Sequence, residues 1–470
     1  MPAGWLNGEI AVVGLARSGQ AVSTLLARTG ADVYASDAGK EKSLERTAAT
    51  LRDEGIDVQL GAHDLERIGR ASLVVASPGV PPDAPPLATA RARGIEVVSE
   101  VEIGLRFLPN LRYVAITGTN GKTTTTALTA HLLSALGHRA VAAGNIGLPL
   151  SEVALRPAVP EWVALEISSF QLHDTPSINP RVGILTNLSA NHLDRYKSIE
   201  EYYADKALLF RNATAASHWV TNGDDVVVEA LAEAAPGIHC RFSVRGRSDA
   251  WVDHTREMLE VLGEPLLARS DLHLIGDHNV ANALAASLAV VLASEAHRTP
   301  HALGSIARGL RTFQGLEHRI ETVAEANGVL WINDSKSTNV ASTEVALRGM
   351  DRPTILLLGG RHKGEPYTAL AAEIRRTVKV VIAYGEAAPI IQGDLGTLVP
   401  VERLGTSFTD VIAAARRLAK AGDVVLLSPA CSSYDMFENY EQRGREFKRL
   451  VTPPGSAKRH SGAHKRAAGQ

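Results

Sequence analysis

The chain has 470 residues with 45% hydrophobic and 21% charged residues, and its 49 basic and 51 acidic side chains give a net charge of −2. This composition is typical of a soluble protein of several domains and excludes a global electrostatic preference for nucleic acid or membranes. Two cysteines, Cys240 and Cys431, exclude a disulfide framework and favour a reducing compartment. The N-terminus has no signal-peptide pattern and the most apolar helical stretch, 283–293, is too short for a membrane span, so we expect a cytoplasmic protein without membrane insertion.

The first block of the chain opens with a strand and a glycine turn, residues 10–19 (IAVVGLARSG). The turn is close to a dinucleotide-binding fingerprint, but Ala16 stands in place of its middle glycine, which disfavours NAD. A strand at 32–37 ends in Asp37, an acid that could suit a ribose hydroxyl, and a further strand covers 72–76. The pattern favours a nucleotide or sugar-nucleotide site over a purely structural turn.

The second block contains a phosphate-loop pattern at residues 117–126 (TGTNGKTTTT), between the apolar run 113–116 and a helical pattern. Backbone N–H groups and the helix dipole converge at such a turn and create an anion site. Lys122 can reach the outer phosphates, and the Thr123 hydroxyl can ligate Mg²⁺. The first glycine of the standard loop is replaced by Ile116, which leaves a shorter G-x-x-G-K-T form. The pattern predicts binding of a nucleoside triphosphate.

Three further apolar runs, 162–167, 182–186 and 219–221, alternate with helical patterns and predict a mostly parallel sheet covered on both faces. Glu166 ends the first of these runs, where a carboxylate near a triphosphate can hold Mg²⁺. After the second run, His192 could ligate a metal, although a lone histidine is more often structural.

Two other polar groups in this block allow a functional or a plain structural interpretation. By pattern alone, Lys206 is an ordinary surface lysine of a helix. Asn279 and Asn282 are three residues apart near the start of an alanine-rich helix, so they share one face. They could bind an adenine or ribose, and N-terminal capping of the helix is the equal alternative.

The third block begins near residue 316 and predicts another doubly wound sheet, with its ligand site at the carboxyl ends of the strands. Its predicted strands are 329–334, 354–360, 380–384 and 423–427. The polar loop 333–339 favours a site for anionic ligands. The last stretch, 453–470, is predicted to be a disordered basic tail, with a solvated role favoured over nucleic-acid binding.

These motifs resemble the Mur ligases over nearly all of residues 8–450. The segments that carry the resemblance are TGTNGKTTTT, GNIG (144–147), LEISSFQL, NHLDRY, GDHNVANALAA, EHRIE, INDSKSTN, LLLGG and SPACSSYDMFENYEQRG. The SSFQL and SPAC…NYEQRG segments are more similar to the D-glutamate-adding branch of the family than to its sister enzymes.

The resemblance implies an α/β fold of three domains. A Rossmann-like domain at 1–100 is expected to bind a UDP-linked substrate. A P-loop ATPase-like domain with a mostly parallel sheet is expected at 101–315. A second Rossmann-like domain, at 316–452, is expected to bind the acceptor amino acid. The implied activity is ATP-dependent and Mg²⁺-dependent addition of D-glutamate to UDP-N-acetylmuramoyl-L-alanine, through an acyl phosphate, in peptidoglycan precursor synthesis. No nucleic-acid partner is implied, and we expect a monomer.

The resemblance also assigns roles to individual residues. The implied catalytic residues are Lys122, Glu166, His192, Lys206 and Lys336. The implied ATP-binding residues are Gly118, Thr119, Asn120, Gly121, Lys122, Thr123, Thr124, Asn279, Asn282, Arg319 and Asp334. The implied contacts to the UDP-substrate are Leu15, Ala16, Arg17, Ser18, Asp37, Asn145 and His192. The implied D-glutamate contacts are Thr338, Lys363, Ser433 and Tyr440. The implied metal ligands are Thr123, Glu166, His192 and Lys206, the lysine as a carbamate.

Two other functions stay open at the level of sequence. A sister ligase with a different amino-acid acceptor would share the ATP machinery, so only the C-terminal acceptor motifs distinguish it. There Arg361 and His362 add positive charge beside Lys363. A nucleotide-binding regulator without ligase activity is disfavoured by the set Lys122, Glu166, His192, Lys206 and Asp334.

Overall fold

The computed structural model describes residues 5–189 and 195–452, with the backbone alone for Leu6. The predicted tail at 453–470 and the predicted metal ligand His192 lie outside the described residues. The chain separates into two units, residues 1–273 with 279–313 and residues 274–278 with 314–470. The domain boundaries at residues 100, 315 and 452 stay predictions.

The first sheet contains five parallel strands within the described residues. They are β1 (Ile10–Val13), β2 (Val33–Asp37), β3 (Asp57–Leu60), β4 (Leu73–Ala76) and β5 (Val97–Ser99), in the order β3-β2-β1-β4-β5. The helices of this part are α1 (Arg17–Ala27), α2 (Lys42–Asp53), α3 (Leu65–Ile68), α4 (Pro85–Ala92) and α5 (Glu100–Phe107). Every residue of β1 and β4 is buried because helices cover both faces of the sheet.

The second sheet contains nine strands in the part of the chain that the structure describes. They are β6 (Arg112–Thr117), β7 (Ala140–Gly144), β8 (Trp162–Glu166), β9 (Val182–Leu185), β10 (His218–Asn222), β11 (Ile238–Ser243), β12 (Ala250–Asp253), β13 (Met258–Val261) and β14 (Glu264–Ala268). Their order is β14-β13-β12-β11-β10-β9-β6-β8-β7, and only the β12-β13 and β13-β14 pairs are antiparallel. The accompanying helices are α6 (Lys122–Ala135), α7 (Leu150–Ala154), α8 (Ser169–His173), α9 (Ile199–Ala207), α10 (Val226–Ala232), α11 (Asp277–Ala293) and α12 (Pro300–Thr312).

The third sheet contains six strands within the described range. They are β15 (Glu321–Ala326), β16 (Val329–Asn333), β17 (Thr354–Gly359), β18 (Val378–Tyr384), β19 (Val401–Arg403) and β20 (Val424–Leu427), in the order β15-β16-β20-β17-β18-β19. The edge strand β15 is antiparallel to β16 and the other pairs are parallel. The helices are α13 (Val340–Arg348), α14 (Ala371–Thr377), α15 (Ala388–Leu395), α16 (Phe408–Leu418) and α17 (Tyr440–Val451).

Short 3-10 turns complete the backbone at Trp5–Asn7, Leu208–Phe210, Arg269–Asp271, Glu295–Arg298 and Tyr367–Leu370. The predicted α/β class with mostly parallel sheets is confirmed. In the described residues, no helix is both long and apolar enough to cross a bilayer. Because the strands of each sheet are mostly parallel, their carboxyl ends meet at one edge, where a ligand site is expected.

Within the first unit, α5 packs on α7 through a buried acid, Glu100. Its Oε1 accepts the Ser151 N–H at 2.6 Å, whereas its Oε2 has no hydrogen-bond partner among the described residues. Burial raises the pKa of Glu100 from its ordinary value of 4.5 to about 7. The unfolded chain therefore releases this proton first, so the contribution of Glu100 to stability falls as the pH rises from about 4.5 to about 7.

We expect Glu100→Gln to stabilise the protein more at pH 8 than at pH 5.5, because glutamine keeps the acceptor for Ser151 and does not ionise. The difference in free energy of unfolding between the variant and the wild type should be larger by ~2 kcal/mol at pH 8 than at pH 5.5, because each unit of pKa shift corresponds to ~1.4 kcal/mol. Urea unfolding of both proteins at pH 5.5 and pH 8 measures this difference. Glu54→Gln, which replaces an exposed acid, is the control. An equal effect of Glu100→Gln at both pH values would contradict the assignment.

Candidate active site

The phosphate loop occupies residues 118–121, between the end of β6 and the start of α6. Gly118 and Gly121 have φ values of +140° and +80°, in the left-handed region that favours glycine. A Cβ on Gly118 would overlap the Thr186 hydroxyl, and one on Gly121 would overlap the Asn282 carboxamide. Both glycines are therefore required by conformation and by space. The first N–H groups of α6 face this turn and have no acceptor within the helix, as an anion site needs.

The segment after β9 holds the phosphate loop in shape. The Thr119 N–H donates to the Asn187 carbonyl at 2.8 Å, and the Asn120 N–H donates to Asn187 Oδ1 at 2.9 Å. The buried Thr119 hydroxyl contacts the Tyr202 hydroxyl of α9 at 3.2 Å. Thr119 and Asn120, which are predicted ATP contacts, therefore also hold the loop in its conformation through these hydrogen bonds. The sequence did not single out Asn187, although it directly follows a predicted strand.

Lys122 lies over this loop. Its Nζ donates to the Gly118 carbonyl at 2.9 Å and to the Thr119 carbonyl at 2.8 Å. A phosphate oxygen is a stronger acceptor for an ammonium than a neutral carbonyl, so a bound triphosphate would compete for these donors. The contact of Lys122 with the outer phosphates stays a prediction. Thr123 and Thr124 follow it in the first turn of α6.

Glu166 ends β8 beside β6 and is 2% exposed. Its Oε1 accepts the side-chain amide of Asn145 at 3.0 Å. Its Oε2 is buried and has no hydrogen-bond partner in the described part of the chain. A buried carboxylate oxygen without a partner fits a hard cation such as Mg²⁺, which prefers oxygen ligands. Among the described residues, no group of three or more His, Cys, Asp or Glu side chains forms a metal cluster.

Lys206 lies in α9 and is 1% exposed, so the surface position that its pattern alone indicates is wrong. Its Nζ is 3.4 Å from Thr117 Oγ1, at the end of β6, and 4.8 Å from the centre of the Tyr202 ring. Burial, and then the nearby charge of Lys122, hold the pKa of Lys206 well below its usual range. Both effects favour the neutral amine, which is the nucleophilic form of a lysine side chain.

Asn279 and Asn282 face the phosphate loop from α11. The Asn282 amide donates to Asn279 Oδ1 at 3.2 Å, and the Thr125 hydroxyl donates to Asn282 Oδ1 at 3.2 Å. Both asparagines are buried and lie inside the helix, so neither is its N-cap. The shared face predicted from their spacing is confirmed, while their contact with a nucleotide stays a prediction.

A cleft of about 810 Å³ lies at the carboxyl edge of the first sheet. Five of the predicted UDP-substrate contacts line it, namely Ala16, Arg17, Ser18, Asp37 and Asn145. Leu15 is buried, and its N–H donates to Asp37 Oδ2 at 2.7 Å. The cleft thus runs from the end of β2 to Asn145, whose amide holds Glu166 of the phosphate site.

Sequence reasoning missed part of this cleft. His63, which follows β3, and the segment 77–81, which follows β4, line it as well. Arg17 does not point freely at a ligand here, since it donates to the Gly147 carbonyl at 2.7 Å and pairs with Glu152 at 3.1 Å. The Arg17 guanidinium therefore links the start of α1 to the GNIG segment.

In the second unit, Asp334 follows β16 and is 2% exposed. Its Oδ2 accepts the Ser428 hydroxyl at 2.7 Å, and its Oδ1 accepts the Ile320 N–H at 3.2 Å. Burial raises the pKa of Asp334 to about 6, and the positive charge of Arg319 acts in the opposite direction. Arg319 and Asp334, predicted together as nucleotide contacts, are thus electrostatically coupled.

Two of the predicted D-glutamate contacts, Thr338 and Tyr440, each lie beside a lysine in this unit: the first beside the predicted D-glutamate contact Lys363, the second beside the predicted catalytic residue Lys336. The Lys363 Nζ donates to Thr338 Oγ1 at 3.4 Å, and the Lys336 Nζ lies 5.9 Å from the centre of the Tyr440 ring. Ser433 is buried after β20, on the same edge of the third sheet. The extra positive charge expected from Arg361 is compensated, because Arg361 pairs with Glu386 at 3.1 Å.

Arg443 ties these segments together and was not singled out by the sequence. It is fully buried in α17 and donates to the Ser335 hydroxyl at 2.9 Å, to the Ser335 carbonyl at 2.8 Å and to the Cys431 carbonyl at 3.2 Å. The Ser335 hydroxyl in turn donates to the Tyr440 carbonyl at 2.8 Å. One guanidinium therefore fixes the spacing of the loops that carry Lys336, Thr338 and Ser433.

Comparison with known families gives three matches along the chain. Residues 8–99 match the MurD-like N-terminal domain of Mur ligases, residues 116–290 the Mur ligase middle domain, and residues 318–431 the glutamate ligase domain of Mur ligases. The three matched ranges contain every strand of the described residues apart from residues 112–115 of β6.

Curated relatives are similar over nearly their whole length. A UDP-N-acetylmuramoylalanine–D-glutamate ligase of Geotalea uraniireducens is 41% identical, with 95% of this chain and 97% of the relative covered. The protein of the same name from Salinibacter ruber is 39% identical, with 94% of this chain and 96% of the relative covered. The one from Myxococcus xanthus is 40% identical, with 95% of this chain and 98% of the relative covered.

Solved structures show the same fold at lower identity. The UDP-N-acetylmuramate-alanine ligase MurC of Thermotoga maritima has a TM-score of 0.57 and 22% identity, with 94% of this chain and 98% of that chain covered. A pseudomurein peptide ligase type C of Methanothermus fervidus has a TM-score of 0.57 and 20% identity, with 95% and 100% covered.

Proposed function

Because the chain belongs to the Mur ligase family, we propose that it joins D-glutamate to UDP-N-acetylmuramoyl-L-alanine at the expense of ATP, in the cytoplasmic synthesis of peptidoglycan precursors. The observation that carries the proposal is the hydrogen bond between Asn145 and Glu166. It joins the cleft at the first sheet to the end of β8, which lies beside β6, the strand that leads into the phosphate loop. A substrate held in that cleft can therefore present its carboxylate to a bound triphosphate.

The phosphate loop and Lys122 hold the triphosphate, with its negative charge spread over backbone N–H groups and the ammonium. Mg²⁺ would be held by Thr123 and Glu166, with His192 and the carbamate of Lys206 as further ligands, and would neutralise charge between phosphate and carboxylate. The Oε2 of Glu166, which is buried and has no hydrogen-bond partner among the residues that the structure describes, supports this placement. Asn279, Asn282, Arg319 and Asp334 would bind the nucleoside part of ATP.

The reaction proceeds in two steps. The alanyl carboxylate oxygen attacks the γ-phosphorus of ATP, so ADP leaves and an acyl phosphate forms. The D-glutamate amine nitrogen then attacks the acyl carbon, phosphate leaves, and the nitrogen loses a proton as the amide forms. Lys363, Thr338, Ser433 and Tyr440 would bind the D-glutamate carboxylates, and Lys336 would stabilise negative charge that develops during transfer.

Phosphate release from ATP tests the assignment. Purified protein is supplied with Mg²⁺, UDP-N-acetylmuramoyl-L-alanine and one acceptor from the series D-glutamate, L-glutamate, L-lysine and diaminopimelate. We expect phosphate release with D-glutamate alone. Release with a different acceptor would leave a Mur ligase of another specificity, and binding of ATP without release for any acceptor would favour a nucleotide-binding regulator.

A further inference from the structure

The cleft at the first sheet has two chemically different ends. The sheet order β3-β2-β1-β4-β5 places the start of α1, whose first backbone N–H groups have no acceptor within the helix, near the middle of the carboxyl edge. Asp37 and His63 lie on the side of β2 and β3, while the segment 77–81 and Asn145 lie on the other. A UDP-sugar that places its diphosphate at the start of α1 and its sugar towards Asn145 must direct its nucleoside towards Asp37 and His63.

At the nucleoside end, Asp37 is already committed to the protein. Its Oδ2 accepts the Leu15 N–H at 2.7 Å and its Oδ1 accepts the Gly39 N–H at 2.8 Å. These bonds fix the turns after β1 and β2 against each other. Asp37 therefore has less capacity for a ligand than its place in the sequence pattern indicates, and a further polar group is needed there.

His63 has the unused donor. Its Nδ1 lies 2.9 Å from the hydroxyl of Ser36, which is 0% exposed and has no other side-chain hydrogen bond in the described part of the chain. A buried hydroxyl that fails to donate costs more than an unused lone pair, so the Ser36 hydroxyl donates to Nδ1. The ring proton is then on Nε2, which has no partner among the described residues. Burial lowers the pKa of His63, which favours this neutral form.

We propose that His63 binds the nucleoside part of the sugar nucleotide, with its Nε2–H donating to an acceptor oxygen of the uracil or ribose. Ser36 is the positioning residue, since its hydroxyl selects the tautomer that donates into the cleft. The inference deepens the proposed function and rests on its UDP-linked substrate. It adds a residue that the sequence did not single out.

Calorimetric binding to the variant His63→Phe tests the inference, because phenylalanine keeps the ring and removes the donor. Three ligands are compared: UDP, UDP-N-acetylmuramoyl-L-alanine, and the muramoyl sugar phosphate without the nucleoside. We expect Kd to rise about 3- to 10-fold for the two ligands that contain the nucleoside, as for the loss of one neutral hydrogen bond. Kd for the sugar phosphate should not change.

Two further variants sharpen the result. Ser36→Ala should weaken UDP binding by a smaller factor, because the tautomer is no longer selected. His239→Phe, in β11 and outside the cleft, should bind all three ligands as the wild type does. An unchanged Kd of His63→Phe for UDP, or an equal loss for the sugar phosphate, would overturn the inference alone. A wild type that binds neither UDP-containing ligand would overturn the proposed substrate and this inference with it.

Discussion

Replacing Lys206 by methionine is expected to lower the rate of phosphate release at least about 100-fold, because the charge stabilisation that a metal ligand supplies is worth several kcal/mol. A neutral buried amine can attack carbon dioxide, releasing a proton and forming a carbamate, which is an anionic oxygen ligand. The environment of Lys206 favours this neutral form, because burial and the charge of Lys122 lower the pKa of its amine. Methionine keeps the volume of the side chain and cannot form the carbamate.

Two readouts separate this role from damage to the fold. A Lys206→Ala variant leaves space for a small carboxylate, so acetate or formate should restore part of its activity. Labelled bicarbonate should give a carbamate signal in the NMR spectrum of the wild type that is absent from both variants. Lys197→Ala, an exposed lysine near the start of α9, should keep full activity. A Lys206→Met variant with wild-type rates would exclude the carbamate from the reaction.

Glu166→Gln is expected to reduce kcat by about 100-fold or more while the thermal midpoint stays the same or rises. Glutamine keeps the carbonyl that accepts the Asn145 amide at the present 3.0 Å, so the local structure is preserved. What is lost is the negative charge of the Oε2 atom, which has no hydrogen-bond partner among the described residues and is the proposed metal ligand. Removing a buried charge, one of whose oxygens has no hydrogen-bond partner among the described residues, relieves a desolvation cost, which explains the expected gain in stability.

Steady-state kinetics at several Mg²⁺ concentrations would test this variant. The half-saturating Mg²⁺ concentration should rise together with the loss of kcat. Glu161→Gln serves as the control, because this acid lies just before β8 with a partly exposed side chain and should behave as wild type. A large loss of kcat without any change in Mg²⁺ dependence would show that Glu166 acts in another way.

The sequence predicted those elements whose residues are buried on both sides. The strands β1, β6, β8 and β17 are nearly continuous apolar runs, and each was recognised. The strand β3 was missed, because its four residues Asp57–Leu60 are mostly half-buried or exposed and carry an acid and an amide. The cleft residue His63 follows that strand, so it was missed for the same reason.

In the candidate site, residues whose role follows from neighbouring residues in the sequence could be predicted, and residues whose role depends on distant parts of the chain could not. The phosphate loop could be predicted because its glycines, lysine and threonine are contiguous and each has a local physical reason. Lys206 could not be placed from its helix pattern, since it is buried beside Thr117, which lies 89 residues earlier in the chain. The role of Arg443 likewise depends on partners far away in the chain.

Arg443 has a consequence for how the molecule is made. The loop with Lys336 and Thr338 receives its fixing hydrogen bonds from a guanidinium 108 residues further along the chain. Translation proceeds from the N-terminus, so this loop is synthesised long before its partner exists. The loops at the carboxyl edge of the third sheet are therefore fixed last, after α17 has left the ribosome, while all residues of the phosphate loop are available several hundred residues earlier.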